Sequence, residues 1–332
     1  MTDQFTSKQA FAALTPDTML DAIESTGVLC SGQFLALNSY ENRVYQVGLE
    51  EGAPLVAKFY RPKRWSDVAI IEEHRFTQAL AEEEIPVIAP LADPRGNTLR
   101  HYGEIRFALY PCRGGRAPEL DNPDQLEQLG RFIGRIHALG RVRPFEHRPS
   151  VDIESYLLAP SRFLLAEGFI PAHLIDAYES LIKDLLLRVE ACYERAGKIA
   201  NIRLHGDFHP GNILWRDDGP QIVDFDDARM GPAVQDLWMF LSGDRPYMTA
   251  RLADLLEGYT RFCDFNPVEL HLVEALRTLR LVHYAGWLAK RWDDPAFPQA
   301  FPWFDSLNFW EEHILTLREQ LAAMEEPPLV WD

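Results

Sequence analysis

The chain has 332 residues, 47% of them hydrophobic and 25% charged, an ordinary globular balance and enough length for two lobes rather than one small core. Its net charge of −17 argues against a nucleic-acid binder, which needs a basic face, but not against an enzyme that neutralises a nucleotide locally with a metal ion and a few placed cations. Cys30, Cys112, Cys192 and Cys263 form no C-x-x-C pair, the opening MTDQFTSKQAF has neither a basic nor an apolar leader region, and no apolar run approaches the ~18 residues of a membrane span, so no disulfide framework, signal peptide or membrane segment is expected.

Thr15-Pro16-Asp17 predicts a helix start, with a hydroxyl at the N-cap and Pro at the first helical position; the helix runs to about Thr26 and stops at Gly27. Strand-like pieces follow at Phe34–Leu37, Arg43–Val47 and Pro54–Tyr60, an antiparallel meander rather than a βαβ unit. Between the first two lies Asn38-Ser39-Tyr40-Glu41-Asn42, without glycine. If phosphates sit here, backbone amides and the Ser39 hydroxyl must hold them; the same segment reads equally as a plain turn.

Val56-Ala57-Lys58-Phe59-Tyr60 places one lysine inside an apolar strand, where a bare ammonium is costly unless paired. It reads as a phosphate-binding lysine, or as a lysine snorkelling from an edge strand. A helical stretch from Ser66 to Leu80 comes next, and Glu73, Phe76 and Leu80 recur at spacings that put Glu73 near its inward stripe. A Lys58–Glu73 ion pair orienting nucleotide phosphates is therefore expected, with Glu72 as the second choice. A hairpin around Tyr102-Gly103-Glu104 leads to the strand Ile105–Tyr110, which breaks at Pro111-Cys112-Arg113-Gly114-Gly115. That break predicts a hinge, with lobes of residues 1–111 and 112–332.

In the second lobe, Asn122-Pro123-Asp124 starts another helix, ending at Gly140, on which His137 reads as a residue packed behind the following loop rather than a catalyst. Residues 151–196 read as helical. Then comes His205-Gly206-Asp207-Phe208-His209-Pro210-Gly211-Asn212, with the H-x-D-x-x-x-x-N spacing of a phosphoryl-transfer loop, and Asp224 follows at the end of the strand Gln221-Ile222-Val223. The chemistry requires one carboxylate to meet an acceptor hydroxyl, while an amide oxygen and a second carboxylate hold magnesium against ATP. Asp226 and Asp227 read as a solvated acidic rim or as extra magnesium neighbours. Only a few residues separate Asp224 from Ala233-Val234-Gln235-Asp236-Leu237-Trp238, read as helix, in which Asp236 could brace the loop through backbone hydrogen bonds. The last third is helical, with an aromatic, Pro-rich loop at residues 293–304 that either caps a pocket or anchors a long connection.

Taken in order, H-G-D-x-H-x-G-N, the strand-terminal V-D-x-D-D and the V-A-K strand resemble the aminoglycoside phosphotransferase and choline kinase group. Five further segments, LNSYENRVYQ, KFYRP, LHGDFHPGNILWRD, GPAVQDLW and RWDDPAFPQAFPW, resemble the bacterial stress response kinase A family within that group. The resemblance implies an α+β, two-lobed protein-kinase-like fold, with a small antiparallel-sheet N-lobe and a larger, mainly helical C-lobe. It implies an ATP- and Mg2+-dependent serine/threonine protein kinase that phosphorylates protein substrates and itself, cytoplasmic and monomeric, in stress responses. Carried over by position, Asp207 is the proton acceptor, Asn212 and Asp224 are the metal ligands, and Ser39 contacts nucleotide. One extra residue at Asp217-Asp218 departs from the family and falls in a turn. Two other functions remain open on these residues: a small-molecule kinase acting on an amino alcohol, aminoglycoside or sugar, and a nucleotide-binding regulator without catalysis.

Overall fold

The structure, a computed structural model, describes residues 10–331. The chain begins α1 (Pro16–Glu24), β1 (Cys30–Ala36), β2 (Arg43–Leu49), β3 (Leu55–Phe59), α2 (Asp67–Glu82), β4 (Arg100–Tyr102) and β5 (Ile105–Pro111). It continues through α3 (Pro123–Gly140), α4 (Ala159–Ala166), α5 (Ile175–Ala196), β6 (Ile202–Leu204), β7 (Ile213–Arg216), β8 (Gly219–Ile222) and β9 (Arg229–Gly231). The last helices are α6 (Arg245–Tyr259), α7 (Val273–Lys290), α8 (Ala296–Ala300) and α9 (Leu307–Ala323). Two compact units result. The first takes the chain through Pro118 with Glu146–Arg148 and Gly211–Asp227; the second takes Glu119–Phe145, Pro149–Pro210 and the chain from Ala228 onward.

In the first unit five antiparallel strands form a sheet in the order β1-β2-β3-β5-β4, so β3 is central. Strand alternation decides which side chains share a face. Val47, Ala57, Phe59, Phe107 and Leu109 point to one side and pack against Met19, Ala22 and Ile23 of α1. Thr15 caps that helix by accepting from the Thr18 amide at 3.2 Å. Burying Phe59 and Phe107, both under 2% exposed, contributes roughly 1.5–3 kcal/mol each. Tyr60 and Ala108 point to the other side, against Ile70 of α2 and the rings of Trp65 and Tyr110. Lys58 lies between these positions and so shares the α2 face.

The β7–β8 hairpin joins this unit through backbone hydrogen bonds. Ile222 donates to Pro86 O at 2.7 Å and accepts from the Ile88 amide at 2.9 Å, while Trp215 and Arg116 exchange bonds of 2.6 and 3.0 Å. Gly115 permits that approach, because a Cβ there would come 2.6 Å from the Leu214 carbonyl carbon.

The second unit is mainly helical. α3 crosses α6 at backbone distance through Gly130, Gly134 and Gly258; a Cβ on Gly130 would sit 1.9 Å from Leu255 O. Residues 151–196, read as helical, hold α4 and α5 separated by a non-helical connection over residues 167–171 and a 3-10 turn at Ala172–Leu174; a π-turn at Glu154–Leu158 leads into α4, where Pro160 has no amide to donate to the carbonyl four residues back. Residues 233–238, read as helix from sequence, instead form a 3-10 turn at Ala233–Asp236 and the start of a second at Trp238–Phe240. The 293–304 segment is an anchor: Phe297 and Phe304 are fully buried, with ring centroids 5.1 Å from Trp287 and 5.0 Å from Trp292.

Candidate active site

In the first unit, the register of β7 with β8 pairs Ile213 with Ile222 around the turn Asp217-Asp218. Asn212 and Val223 therefore meet at the open end of the hairpin, where the Val223 amide donates to Asn212 O at 3.0 Å. Asp224 is the next residue and adopts φ 62°, a left-handed conformation that a short polar side chain tolerates better than most. Its carboxylate is 52% exposed. An amide and a carboxylate thus leave one end of one hairpin, hard oxygen donors suited to a divalent cation. Among the described residues no group of three or more His, Cys, Asp or Glu could hold a metal.

Lys58 reaches this end from the centre of the sheet. Its Nζ lies 2.9 Å from Asp224 Oδ1 and 3.2 Å from Asp226 Oδ1. Burial disfavours the ammonium, but Asp224 and Asp226 outweigh it and hold the lysine well above its usual value, so it is charged. The edge-strand lysine is thereby ruled out. The expected ion pair with Glu73 is not closed. Glu73 is buried on α2, and burial pushes its carboxyl up to about 7 against the pull of Lys58 and Arg148. Its nearest basic neighbour is His74, at 3.7 Å, which burial keeps neutral by lowering it to about 3. Glu72 is committed elsewhere: its two carboxylate oxygens accept from the amides of Glu146 and His147 at 2.6 and 2.9 Å. Of the two glutamates, Glu73 is the one that feels Lys58.

Asp226 is not a solvated rim. It is 4% exposed and contacts Lys58 and Arg64, while its backbone carbonyl accepts from Arg148. Burial alone would raise its carboxyl; Arg64 and Lys58 instead hold it well below the usual carboxylate range. Arg64 also reaches Asp227 at 2.9 Å. Sequence inspection missed Arg64 and Arg148, since only their clustering on one acid gives them a role.

Ser39 lies half-buried on the β1–β2 loop, and its hydroxyl makes no hydrogen bond among the described residues. Arg61 stiffens that loop in place of glycines. It contacts the Glu41 carbonyl at 2.9 Å and the Glu41 carboxylate at 3.2 Å, and its amide donates to Asn42 Oδ1 at 3.0 Å.

In the second unit, Asp207 sits three residues past β6 on a loop whose Gly206 has φ 83°. Fully buried Asp236 braces this loop. Its carboxylate accepts from the amides of His205 and Gly206 at 2.8 and 2.9 Å and is bonded to His137 Nε2 at 3.1 Å. His137 is held in turn by the Tyr259 hydroxyl at 3.0 Å, so it packs behind the loop. Gln235 adds a bond to Gly206 O at 3.1 Å. The Asp207 carboxylate faces His209 Nε2 at 3.6 Å and Arg280 Nη1 at 2.5 Å. Arg280, on α7, is the other residue that the sequence did not disclose, because nothing in its helical stripe marks it as a partner of the loop.

Phosphoryl transfer uses groups of these kinds, and each unit carries some of them: a carboxylate on a braced loop in the second, and an amide, a carboxylate and a charged lysine at a hairpin end in the first. Residues 34–273 match the phosphotransferase enzyme family, and the chain belongs to that family. It is 44% identical, over 96% of both chains, to Stress response kinase A of Escherichia coli, and equally to a Salmonella typhimurium protein named Serine/threonine protein kinase RdoA. Among solved structures it resembles amicoumacin kinase hAmiN in complex with AMP-PNP, Ca2+ and Ami, with a TM-score of 0.71 at 19% identity over 96% of both chains. The α+β architecture is accordingly that of the kinase-like phosphotransferases. No helix among the described residues is long and apolar enough to cross a membrane.

Proposed function

We propose that the chain is an ATP- and magnesium-dependent serine/threonine protein kinase that also phosphorylates itself and serves a bacterial stress response as a cytoplasmic monomer. The observation that carries the nucleotide half is the contact of charged, central-strand Lys58 with Asp224 at the hairpin end that also bears Asn212. The relatives' names support the acceptor class.

In this reading residues 1–111 form the N-lobe that holds the nucleotide, and residues 112–332 form the C-lobe that supplies the catalytic loop and acceptor surface. Asn212 and Asp224 hold the metal, Lys58 contacts the phosphates, Glu73 sets the field around Lys58, and Ser39 lies against the nucleotide. When bound, magnesium would neutralise phosphate charge. Asp207 accepts the proton of the acceptor hydroxyl and aligns it for in-line attack; the loop bonds to Asp236 fix that carboxylate before the acceptor arrives. The reaction asks for positioning and charge placement more than covalent chemistry.

Turnover of ATP with an unstructured protein, with choline and with an aminoglycoside tests the acceptor class. Transfer to the protein supports the reading; transfer to the small amines alone replaces it with the small-molecule kinase. Nucleotide binding without transfer to any acceptor, the chain itself included, leaves a nucleotide-binding regulator.

A further inference from the structure

We infer that Arg280 selects the acceptor: it favours a hydroxyl flanked by an anionic group and disfavours a cationic acceptor. The inference rests on Asp207 as the group that receives the acceptor proton.

Arg280 Nη1 lies 2.5 Å from Asp207 Oδ1, and the arginine side chain is 37% exposed. Its Nε and Nη2 make no hydrogen bond among the described residues, so the fork has donors left for an incoming group. A guanidinium stays charged at every working pH and binds carboxylate or phosphate with two parallel bonds. Any hydroxyl that reaches Asp207 brings its flanking charge near Arg280. At about 5 Å and an effective dielectric of a few tens, like charges there disfavour an ammonium-bearing acceptor roughly ten-fold, and an opposite charge gains a similar factor. The Asp207 carboxylate at 2.5 Å cancels part of this charge, so these factors are upper values; His209, the second basic group facing that carboxylate at 3.6 Å, adds no further negative charge.

The same helix face continues one and two turns on with His283, Tyr284 and Trp287. His283 stacks on Tyr156 at 4.2 Å, and Tyr284, 39% exposed, stacks on Trp287 at 5.7 Å. These rings offer surface to an acceptor chain. Rings also attract ammonium groups, so they do not set the sign of the selection. Arg280 does.

The test uses the full chain and peptides differing only beside one serine: neutral, glutamate-flanked, phosphoserine-flanked and lysine-flanked, with choline as a small cationic acceptor. Wild type should prefer the anionic peptides to the lysine peptide by ten-fold or more and up to roughly a hundred-fold in kcat/KM, the two factors combined, mostly through KM. The glutamate and phosphoserine arms tell which anion the fork takes. Arg280→Gln should level the series to within about two-fold, Arg280→Glu should reverse it, and Arg280→Lys should keep it. Nucleotide affinity and thermal unfolding of each variant separate misfolding from selection, and Arg280→Lys carries the test if Arg280→Gln fails to fold. An order unchanged in Arg280→Gln overturns the inference. So does a folded, nucleotide-binding Arg280→Gln protein that transfers to nothing, because Arg280 would then orient Asp207 instead. If choline alone is phosphorylated, the protein-kinase reading fails separately. Arg280→Gln must then raise choline turnover, by up to roughly ten-fold, and no rise overturns the selector.

Discussion

Lys58 and Asp224 are in contact at 2.9 Å, joining the central strand of the sheet to the end of the β7–β8 hairpin. The lysine is 9% exposed at its side chain and has Asp226 as its second partner. Removing it leaves a buried carboxylate with one fewer cation, while exposed Asp224 loses little, and Arg64 remains beside Asp226. Lys58→Ala should therefore cost about 1–3 kcal/mol, below the full value of breaking a buried pair. Urea unfolding checks this, and nucleotide affinity measured on the same samples should fall as well.

Asp224 adopts its left-handed φ of 62° without being glycine. Asp224→Ala and Asp224→Gly delete the same carboxylate and should weaken nucleotide binding in the presence of magnesium to the same degree. They should differ in stability. Alanine pays about 1–2 kcal/mol for that conformation and glycine does not. Equal melting temperatures for the two variants would refute the strain.

Asp236 is the acceptor for two loop amides and a partner of His137. Asp236→Ala leaves these buried groups unpaired and should cost about 2–4 kcal/mol. Hydrogen exchange at the His205 and Gly206 amides should accelerate more than global unfolding explains, because the brace is local.

Glu73 gives a pH dependence with a definite sign. Its carboxyl is held at about 7 in the folded chain, against about 4.3 when unfolded. Between those values the folded state binds more protons, so this group's contribution lowers stability as pH rises, with the full penalty present above about 7. Glu73→Gln should melt above wild type at pH 8.5, and the gap should close towards pH 5. A gap that widens on acidification would contradict the assignment.

Much of this was legible in the chain because it is local or periodic. Thr15 and Ser66 mark helix starts through their own backbone bonds, strand alternation puts Lys58 on the α2 face, and the hairpin spacing delivers Asn212 and Asp224 to one end. What stayed hidden depends on residues distant in sequence. Nothing in Phe225-Asp226-Asp227 tells which acid is buried until Arg64 and Arg148 are placed around Asp226. The pairing of Arg280 with Asp207 joins a helix to a loop 73 positions earlier, with no periodic signal. The Lys58–Glu73 pairing was inferred from stripe position alone, which cannot rank Glu73 against two carboxylates arriving from a hairpin over 150 residues downstream.

The decisive proposal is direct transfer of the ATP γ-phosphoryl group to serine and threonine hydroxyls, with Asp207 accepting the hydroxyl proton and ADP leaving. Labelled ATP incubated with the purified wild-type chain and its Asp207→Asn variant, with the labelled residues mapped, tests it most directly. Phosphoserine or phosphothreonine should appear in substrate and in the chain itself. Asp207→Asn should lose roughly 10²–10⁴ in turnover with nucleotide affinity nearly intact. Wild-type labelling by Asp207→Asn would contradict the proposal.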